Sequence, residues 1–169
     1  MTAAALAARN GSQTAAETFV RGTQDDVWRL CRYLGPAGHA DDLAQETYAR
    51  AFAGLHRFAG RAPARSWLLG IARHVCADAV GAAVRDRARR GGEQPDDTLA
   101  AAAPDHAGAV HLDLLLAALD PDRREAFVLT QVLGFGYADA AAVCGCPVGT
   151  IRSRVARARD ALRAASLAE

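Results

Sequence analysis

The residues with the clearest chemical potential lie near the C-terminus, between positions 147 and 163. Helical spacing would place two hydroxyl side chains and several arginines on the outer side of one helix. Guanidinium and hydroxyl groups bind phosphate and read base edges in the major groove of DNA. The candidate DNA contacts are Pro147, Gly149, Thr150, Arg152, Ser153, Arg154, Arg157 and Arg159. We expect Arg154 and Arg157 to contact bases, because their side of the helix should lie farthest from its apolar stripe. Arg152 and Arg159 should lie nearer that stripe and contact phosphates.

The elements that would position these side chains are two short helices joined by a tight turn. Residues 138–143 form the first, and Gly145 can adopt the left-handed conformation that a sharp turn needs. Pro147 suits the start of the second helix. That helix has an apolar stripe at three- and four-residue spacing: Val148, Ile151, Val155, Ala158 and Leu162. The pattern predicts a helix-turn-helix. The alternative is an ordinary amphipathic helix with a solvated arginine face.

Other sites of chemistry are poorly supported. Cys144 and Cys146 could form half of a thiolate metal site, but a tetrahedral site needs four ligands and no second pair lies nearby. The five histidines are dispersed, and no nucleophile motif, phosphate loop or carboxylate pair is present. We therefore predict no catalytic residues, no metal and no cofactor, and expect that the protein is not an enzyme.

Composition and charge predict the architecture. Alanine dominates the apolar residues, aromatic residues are 6% of the chain and strand-like alternation is nearly absent, so the 169 residues should be all-α. The net charge is only +1, yet residues 61–90 carry seven Arg and two acids, and residues 91–137 carry two Arg and eight acids. Two basic regions flanking an acidic one suggest two polyanion contacts. All basic residues are Arg, which a coding bias toward Arg, Ala and Gly can also explain.

We predict two small helical domains joined by a flexible acidic linker. The first domain spans residues 13–85, and residues 13–34 within it are expected to form one helix. The linker spans 86–108 and is rich in Pro, Gly and acids. The second domain, 109–169, contains the helix-turn-helix. The helix before it is expected to begin at Asp120-Pro121, with Asp120 as an acidic N-cap.

The chain ends and the cysteines bear on location. Residues 1–12 should form a loose tail. The N-terminus also lacks the basic start and the long apolar core of a signal peptide. No apolar run approaches membrane-spanning length. Four scattered cysteines fit a reducing compartment. A cytoplasmic location is therefore expected.

Three segments together resemble a known family. They are DDLAQETYARAF from Asp41, ARSWLLGIARHVCADAV from Ala64, and a long segment that ends in GCPVGTIRSRVARARDALR. In this order they resemble the two helical domains of bacterial RNA polymerase sigma factors, most closely the extracytoplasmic-function group. The resemblance covers residues 13–85 and 110–164. Residues 42–47 and 145–151 carry its most specific motifs.

The resemblance implies a partner or a promoter element for each part of the chain. Core RNA polymerase would be bound by Asp42, Gln45 and Glu46. The −10 element of promoter DNA would be contacted by residues 57–78, in particular by Arg61, Arg65, Arg73, His74 and Asp78. The helix 148–159 would read the −35 element. An anti-sigma factor is a further candidate partner.

Two other classes of function remain open from the sequence. One is a free-standing helix-turn-helix transcriptional regulator that acts without stable polymerase association, in which residues 13–85 would dimerise or bind a ligand. The other is a helical enzyme or metal sensor, which turnover or a bound metal in the purified protein would support.

Overall fold

The computed structural model describes residues 1–90 and 113–166, and in these ranges all regular structure is helical. The N-terminal part contains α1 (Thr2–Arg9), α2 (Gln13–Arg21), α3 (Gln24–Leu34) and α4 (Ala40–Gly54), a 3₁₀ turn (Leu55–Arg57) and α5 (Ala64–Arg89). Helices α3, α4 and α5 pack against one another. Their shared core is built from Val27, Leu30, Cys31, Leu43, Ala51, Leu68, Leu69, Ala72 and Val75.

The single helix expected over residues 13–34 is wrong, because the chain breaks between α2 and α3. The break falls at Gly22 and Thr23. The Thr23 hydroxyl is buried and donates to the carbonyl of Phe19 at 2.7 Å. It also lies 2.7 Å from the Tyr48 hydroxyl of α4. A side chain that bonds the local backbone and a distant hydroxyl competes with helix continuation.

The loose tail expected over residues 1–12 is also wrong. These residues contain α1, whose Ala5 is fully buried and which packs against α2, the 3₁₀ turn and α5. Ala-rich segments have high helix propensity, but a helix this short is stable only when it packs against a larger structure.

Helix α5 is the longest element, with 26 residues. An 18-residue window in it reaches a mean hydropathy of 1.3, so by length and composition it could cross a membrane, contrary to the sequence expectation. Leu68, Leu69 and Ala72 are nevertheless fully buried against the other helices. Of the whole window, 28% is buried inside the protein. The helix continues to Arg89, four residues into the segment predicted as linker. The rest of that segment, from 91 to 108, lies outside the described residues.

The C-terminal part begins with helical residues 113–117. It continues with α6 (Pro121–Phe127), a π-helical turn (Val128–Val132), α7 (Tyr137–Cys144) and α8 (Val148–Ser166). The Asp120 side chain caps α6, as predicted, by accepting from the N–H groups of Asp122 and Arg123 at 3.1 and 3.4 Å. Ile151, Val155 and Ala158 bury one side of α8, which packs against α6 and α7.

The two parts contact each other directly. Helix α5 packs against α7, and α3 packs against α6. A cavity of about 400 Å³ lies between α5 and α6, lined by Cys76 and Val80 on one side and by Asp122 and Glu125 on the other. The domains therefore share an interface that encloses both polar and apolar groups.

Candidate nucleic-acid interface

The turn before α8 has the geometry that the sequence predicts. Gly145 adopts φ 65° and ψ 35°, the left-handed conformation that ends α7. The Pro147 carbonyl then accepts from the N–H groups of Thr150 and Ile151, at 2.9 and 3.3 Å, and so begins the next helix. The first N–H groups of a helix have no intrahelical acceptor, and residues 147–149 are exposed, so a phosphate could accept from this end of α8.

Most candidate DNA contacts of α8 face solvent. The exposed members are Pro147, Gly149, Arg152, Ser153, Arg157 and Arg159. Thr150 is half-buried, and the Ser153 hydroxyl donates to its carbonyl at 2.9 Å. That bond uses the only hydroxyl proton of Ser153 but leaves its oxygen available as an acceptor.

Arg154 does not lie on the far side of α8, so that part of the prediction is wrong. Its side chain is only 24% exposed and forms an ion pair with Asp122 of α6. Arg154 follows buried Ile151 by three residues, so the two side chains are separated by only about 60° around the helix axis. Arg154 therefore lies beside the core rather than opposite it. Arg159 also has a protein partner, since it donates to the Gln131 side chain at 2.7 Å.

Arg152 and Arg157 differ from these two arginines. Both are exposed, and neither makes an ion pair or a side-chain hydrogen bond with any other described residue. Ser153 lies between them, close to the pole of the helix opposite Ile151. The accessible donors of α8 are therefore centred on Arg152 and Arg157 rather than on Arg154.

Arg65 lies where the N-terminal and C-terminal parts meet. Its Nε is 2.6 Å from Asp26, and its Nη2 donates to the Leu133 carbonyl at 2.7 Å. The guanidinium also lies over the Phe135 ring, 4.1 Å from its centroid, in a cation–π arrangement. Arg65 thus donates to a carboxylate of the N-terminal part and to a carbonyl of the C-terminal part.

Arg73 lies two turns further along the same side of α5 and also faces the C-terminal part. It forms an ion pair with Glu125, whose side chain is 9% exposed. Burial raises the pKa of the nearby Cys144 thiol, and the negative charge of Glu125 raises it further. The thiol is therefore protonated at neutral pH.

The remaining −10 candidates occupy different surfaces. Arg61 is exposed in the loop before α5, and His74 is exposed with its Nδ1 2.7 Å from the Gly70 carbonyl. Asp78 is exposed and pairs with Arg50 of α4 at 2.8 Å, and Arg50 in turn binds Glu46 at 2.7 Å. Both carboxylates raise the pKa of Arg50, and the hydrogen bond to Asp78 has the larger effect. The structure thus separates the exposed Arg61, His74 and Asp78 from the interface residues Arg65 and Arg73.

The polymerase-binding candidates form one exposed edge of α4. Asp42 is 82% exposed and Glu46 is 50% exposed, and Gln45 lies between them. Trp28 of α3, 38% exposed, donates from its indole N–H to Asp41 at 2.9 Å and so extends this edge. From the sequence alone, Trp28 is expected in the core rather than stacked on a base, and its partial exposure corrects that expectation. Its place at the margin of the Val27–Cys31 stripe is the signal that could have located it.

Among residues 1–90 and 113–166, no three His, Cys, Asp or Glu side chains lie together in a way that could hold a metal ion. Cys144 and Cys146 stand on either side of Gly145 without further ligands. Cys144 is buried near Glu125, and the Cys146 sulfur accepts a weak hydrogen bond from Arg154 at 3.9 Å.

Comparison with known families assigns both parts of the chain. Residues 19–90 match Sigma-70 region 2, and residues 110–162 match Sigma-70 region 4. The ECF RNA polymerase sigma factor SigC of Mycobacterium tuberculosis is 53% identical over 175 residues, covering 97% of this chain and 90% of SigC. The chain belongs to the ECF RNA polymerase sigma factors. EcfG of Rhodopseudomonas palustris, another ECF sigma factor, is 43% identical over 77% of this chain and 72% of its own length.

Two solved structures share this fold. CnrH, in complex with the cytosolic domain of CnrY, superposes with a TM-score of 0.77 and 28% identity, covering 99% of this chain and 97% of CnrH. The sigma factor RpoE of Bartonella quintana, in complex with the anti-sigma factor NepR, has a TM-score of 0.77 and 30% identity, covering 87% of this chain and 93% of that one. The all-α prediction is confirmed.

Proposed function

We propose that this ECF sigma factor binds core RNA polymerase and directs it to a set of promoters, where it supports transcription initiation. The observation that carries this proposal is the exposed N-terminal end of α8, presented by a left-handed glycine turn and surrounded by arginines. A helix presented in this way enters the major groove with its first turns against the bases. The family membership then selects the sigma-factor role over that of a free-standing regulator.

We assign each surface a separate task. The α8 face around Arg152, Ser153 and Arg157 would read the −35 element. The loop before α5 and the exposed face with His74 would meet the −10 element. The α4 edge around Asp42 would bind polymerase, since its carboxylates and amide suit arginines on a facing helix. The two tasks on DNA fall to separate domains, 13–85 and 109–169, and this division supports binding of two promoter elements.

Promoter binding requires some protein contacts to be exchanged for DNA contacts. Arg65, Arg73 and Arg154 are paired with carbonyl or carboxylate oxygens of the protein. Phosphate oxygens are equivalent acceptors for guanidinium groups. We therefore infer that Arg65 and Arg73 contact DNA only after the two parts have moved apart, and that Arg154 does so only after its ion pair with Asp122 within the C-terminal part has opened. Arg152 and Arg157 are available beforehand.

The proposed role needs no catalytic chemistry from this chain, since the polymerase supplies it. It also places the protein in the cytoplasm with the polymerase. An anti-sigma factor is a proposed partner as well, supported by the similar sigma factor RpoE of Bartonella quintana, which is bound to the anti-sigma factor NepR.

The decisive experiment is reconstitution with core RNA polymerase on a library of promoters with randomised −35 and −10 regions. We expect transcripts only when both the sigma factor and core enzyme are present, from templates enriched for one motif in each region. Stable sequence-specific binding to DNA without polymerase, combined with no enrichment of transcripts in its presence, would support the free-standing regulator instead.

A further inference from the structure

Helix α5 begins without a capping side chain of its own. Its N-cap residue is Pro63, which has no side-chain acceptor. Helix N-termini leave several N–H groups unpaired, and hydroxyl or carboxylate side chains at the cap normally accept from one of them. Here the N–H of Ala64 donates to the hydroxyl of Thr2 at 3.1 Å, 62 residues away in sequence. The first residue of α1 therefore supplies the cap of α5.

The other end of α1 holds the start of the same loop. Arg9 Nη1 donates to the Phe58 carbonyl at 2.9 Å. The Phe58 ring is buried and lies against Trp67 of α5, with 4.8 Å between ring centroids. A hydrogen bond from a charged donor is stronger than a neutral one, so this contact fixes the backbone at the start of the loop.

The middle of α1 contacts the middle of the loop. Gly60 has φ +70°, and a Cβ at this position would lie 3.3 Å from the Leu6 side chain. Thr2 and Arg9 are seven residues apart, about 10 Å along a helix. Helix α1 thus contacts residues 58–64 at the beginning, the middle and the end, as a rigid spacer would.

We infer that α1 sets the path of residues 58–63, and that Thr2 and Arg9 are positioning residues for −10 recognition. This inference rests on the proposed contact between that loop and the −10 element. The match to Sigma-70 region 2 begins at residue 19, so α1 lies outside it. Arg61 is exposed within the held loop, and α1 determines where its guanidinium can reach. Neither Thr2 nor Arg9 needs to touch DNA for this effect.

The test compares disruptive and conservative substitutions at the two contacts. Thr2→Val keeps the side-chain shape but removes the acceptor, and Arg9→Met keeps most of the length but removes the donors. Thr2→Ser and Arg9→Lys retain the acceptor and a charged donor. Any affinity tag is placed at the C-terminus so that α1 is unaltered.

The first measurement is amide hydrogen exchange over residues 58–66 of the free full-length protein. In the Thr2→Val/Arg9→Met variant we expect exchange in this segment to accelerate about fivefold, the effect of losing a helix cap. Exchange in α3 and α8 should remain at the wild-type rate. The Thr2→Ser/Arg9→Lys variant should restore most of the protection.

The second measurement uses holoenzyme on promoters with substituted −10 sequences, scored by permanganate reactivity of the opened strand. We expect the disruptive variant to flatten the preference among −10 sequences and to slow opening about fivefold. Its affinity for core polymerase should stay within about twofold of wild type, because the α4 edge is untouched. The conservative variant should behave as wild type.

The outcomes separate this inference from the proposed function. If Arg61→Ala impairs opening but the Thr2→Val/Arg9→Met variant changes neither exchange nor −10 preference, α1 is not a positioning element. If neither Arg61→Ala nor the α1 variants affect opening, the −10 assignment of the loop itself is wrong. Equal losses in core binding, exchange of all helices and opening would show that α1 contributes only general stability, and would also overturn the inference.

Discussion

Arg73 of α5 and Glu125 of α6 form an ion pair that joins the two halves of the protein, and the two partners are unequally buried. The Arg73 side chain is 32% exposed, whereas that of Glu125 is 9% exposed. If the pair is broken, water can reach the guanidinium more readily than the carboxylate. The cost of breaking the pair should therefore depend on which partner is removed.

Substituting Arg73 should destabilise the protein more than substituting Glu125. Arg73→Met leaves a buried carboxylate without its cation, and we expect a loss of about 3 kcal/mol in the free energy of unfolding. Glu125→Gln leaves a neutral amide beside a partly solvated arginine and should cost about 1 kcal/mol. Urea unfolding measures both. Glu17→Gln, on the exposed side of α2, is the matched control and should change little. Equal costs for the two variants would contradict the role of burial.

The same substitution should change DNA binding. Glu125→Gln frees Arg73 for phosphate, so non-specific affinity for duplex DNA should rise. The slope of log affinity against log salt concentration should become more negative by about one, because one more phosphate is neutralised. Fluorescence anisotropy over a salt series gives the slope. An unchanged slope would mean that Arg73 remains unavailable to DNA even when its carboxylate partner is gone.

Two glycines at the helix-turn-helix should respond oppositely to alanine. Gly145→Ala places a Cβ in the left-handed conformation and should cost roughly 1–2 kcal/mol of stability. Gly149 is exposed within α8, and the space that an added Cβ would occupy is open, so Gly149→Ala should stabilise the fold by about 0.5–1 kcal/mol. The same methyl group stands where the backbone would approach DNA, so binding to the −35 element should weaken. Thermal unfolding checks the opposite changes in stability of the two variants, and a −35 binding assay checks the loss of affinity of Gly149→Ala.

The arginines of α8 should separate into two groups in a −35 specificity assay. Arg157→Ala should relax the preference at one base pair, a loss of about 1–3 kcal/mol in discrimination if the contact is bidentate to guanine. Arg154→Ala should have a smaller effect, because that side chain is paired with Asp122. Asp122→Asn, which releases Arg154 without altering it, should strengthen binding to all sequences. Selection from a library of substituted −35 elements distinguishes a single-position effect from a uniform one.

Charge reversal at Asp42 should weaken polymerase binding without affecting the fold. Asp42 is 82% exposed, and its contact with His39 is long, at 4.0 Å, so Asp42→Lys should change stability by less than about 0.5 kcal/mol. Glu17→Lys makes the same charge change on α2 and serves as the control. Competition for core polymerase against the wild-type chain measures the loss. Equal competition by both variants would remove α4 from the binding surface.

The sequence predicts well what depends on local spacing. The apolar period places Ile151, Val155 and Ala158 in the core, and Gly145 is identified as the turn residue from its type and neighbours. The cap at Asp120 follows in the same way. Each of these features is determined within one helical turn or one loop, where residue type has few alternatives.

Features that depend on distant partners were not predictable. The partners of Arg65 and Arg73 lie tens of residues away, and nothing in the local pattern distinguishes these arginines from the exposed Arg61. The docking of α1 depends on Thr2 meeting Ala64, which no helical period encodes. The break at Thr23 arises from a bond to Tyr48 on another helix. Each error reflects tertiary contacts that override a local preference.

The reactivity of a buried cysteine can report separation of the two halves of the protein. Cys76 is 1% exposed and lines the cavity between α5 and α6, and contact with the Cys31 thiol together with burial raises its pKa. Cys146 is half-exposed and should react with iodoacetamide first. The thiolate is the reactive form and is scarce at Cys76, so alkylation of Cys76 should follow the fraction of molecules whose interface is open, and Glu125→Gln should accelerate it. Mass spectrometry of timed reactions would then report changes in that fraction without any introduced label.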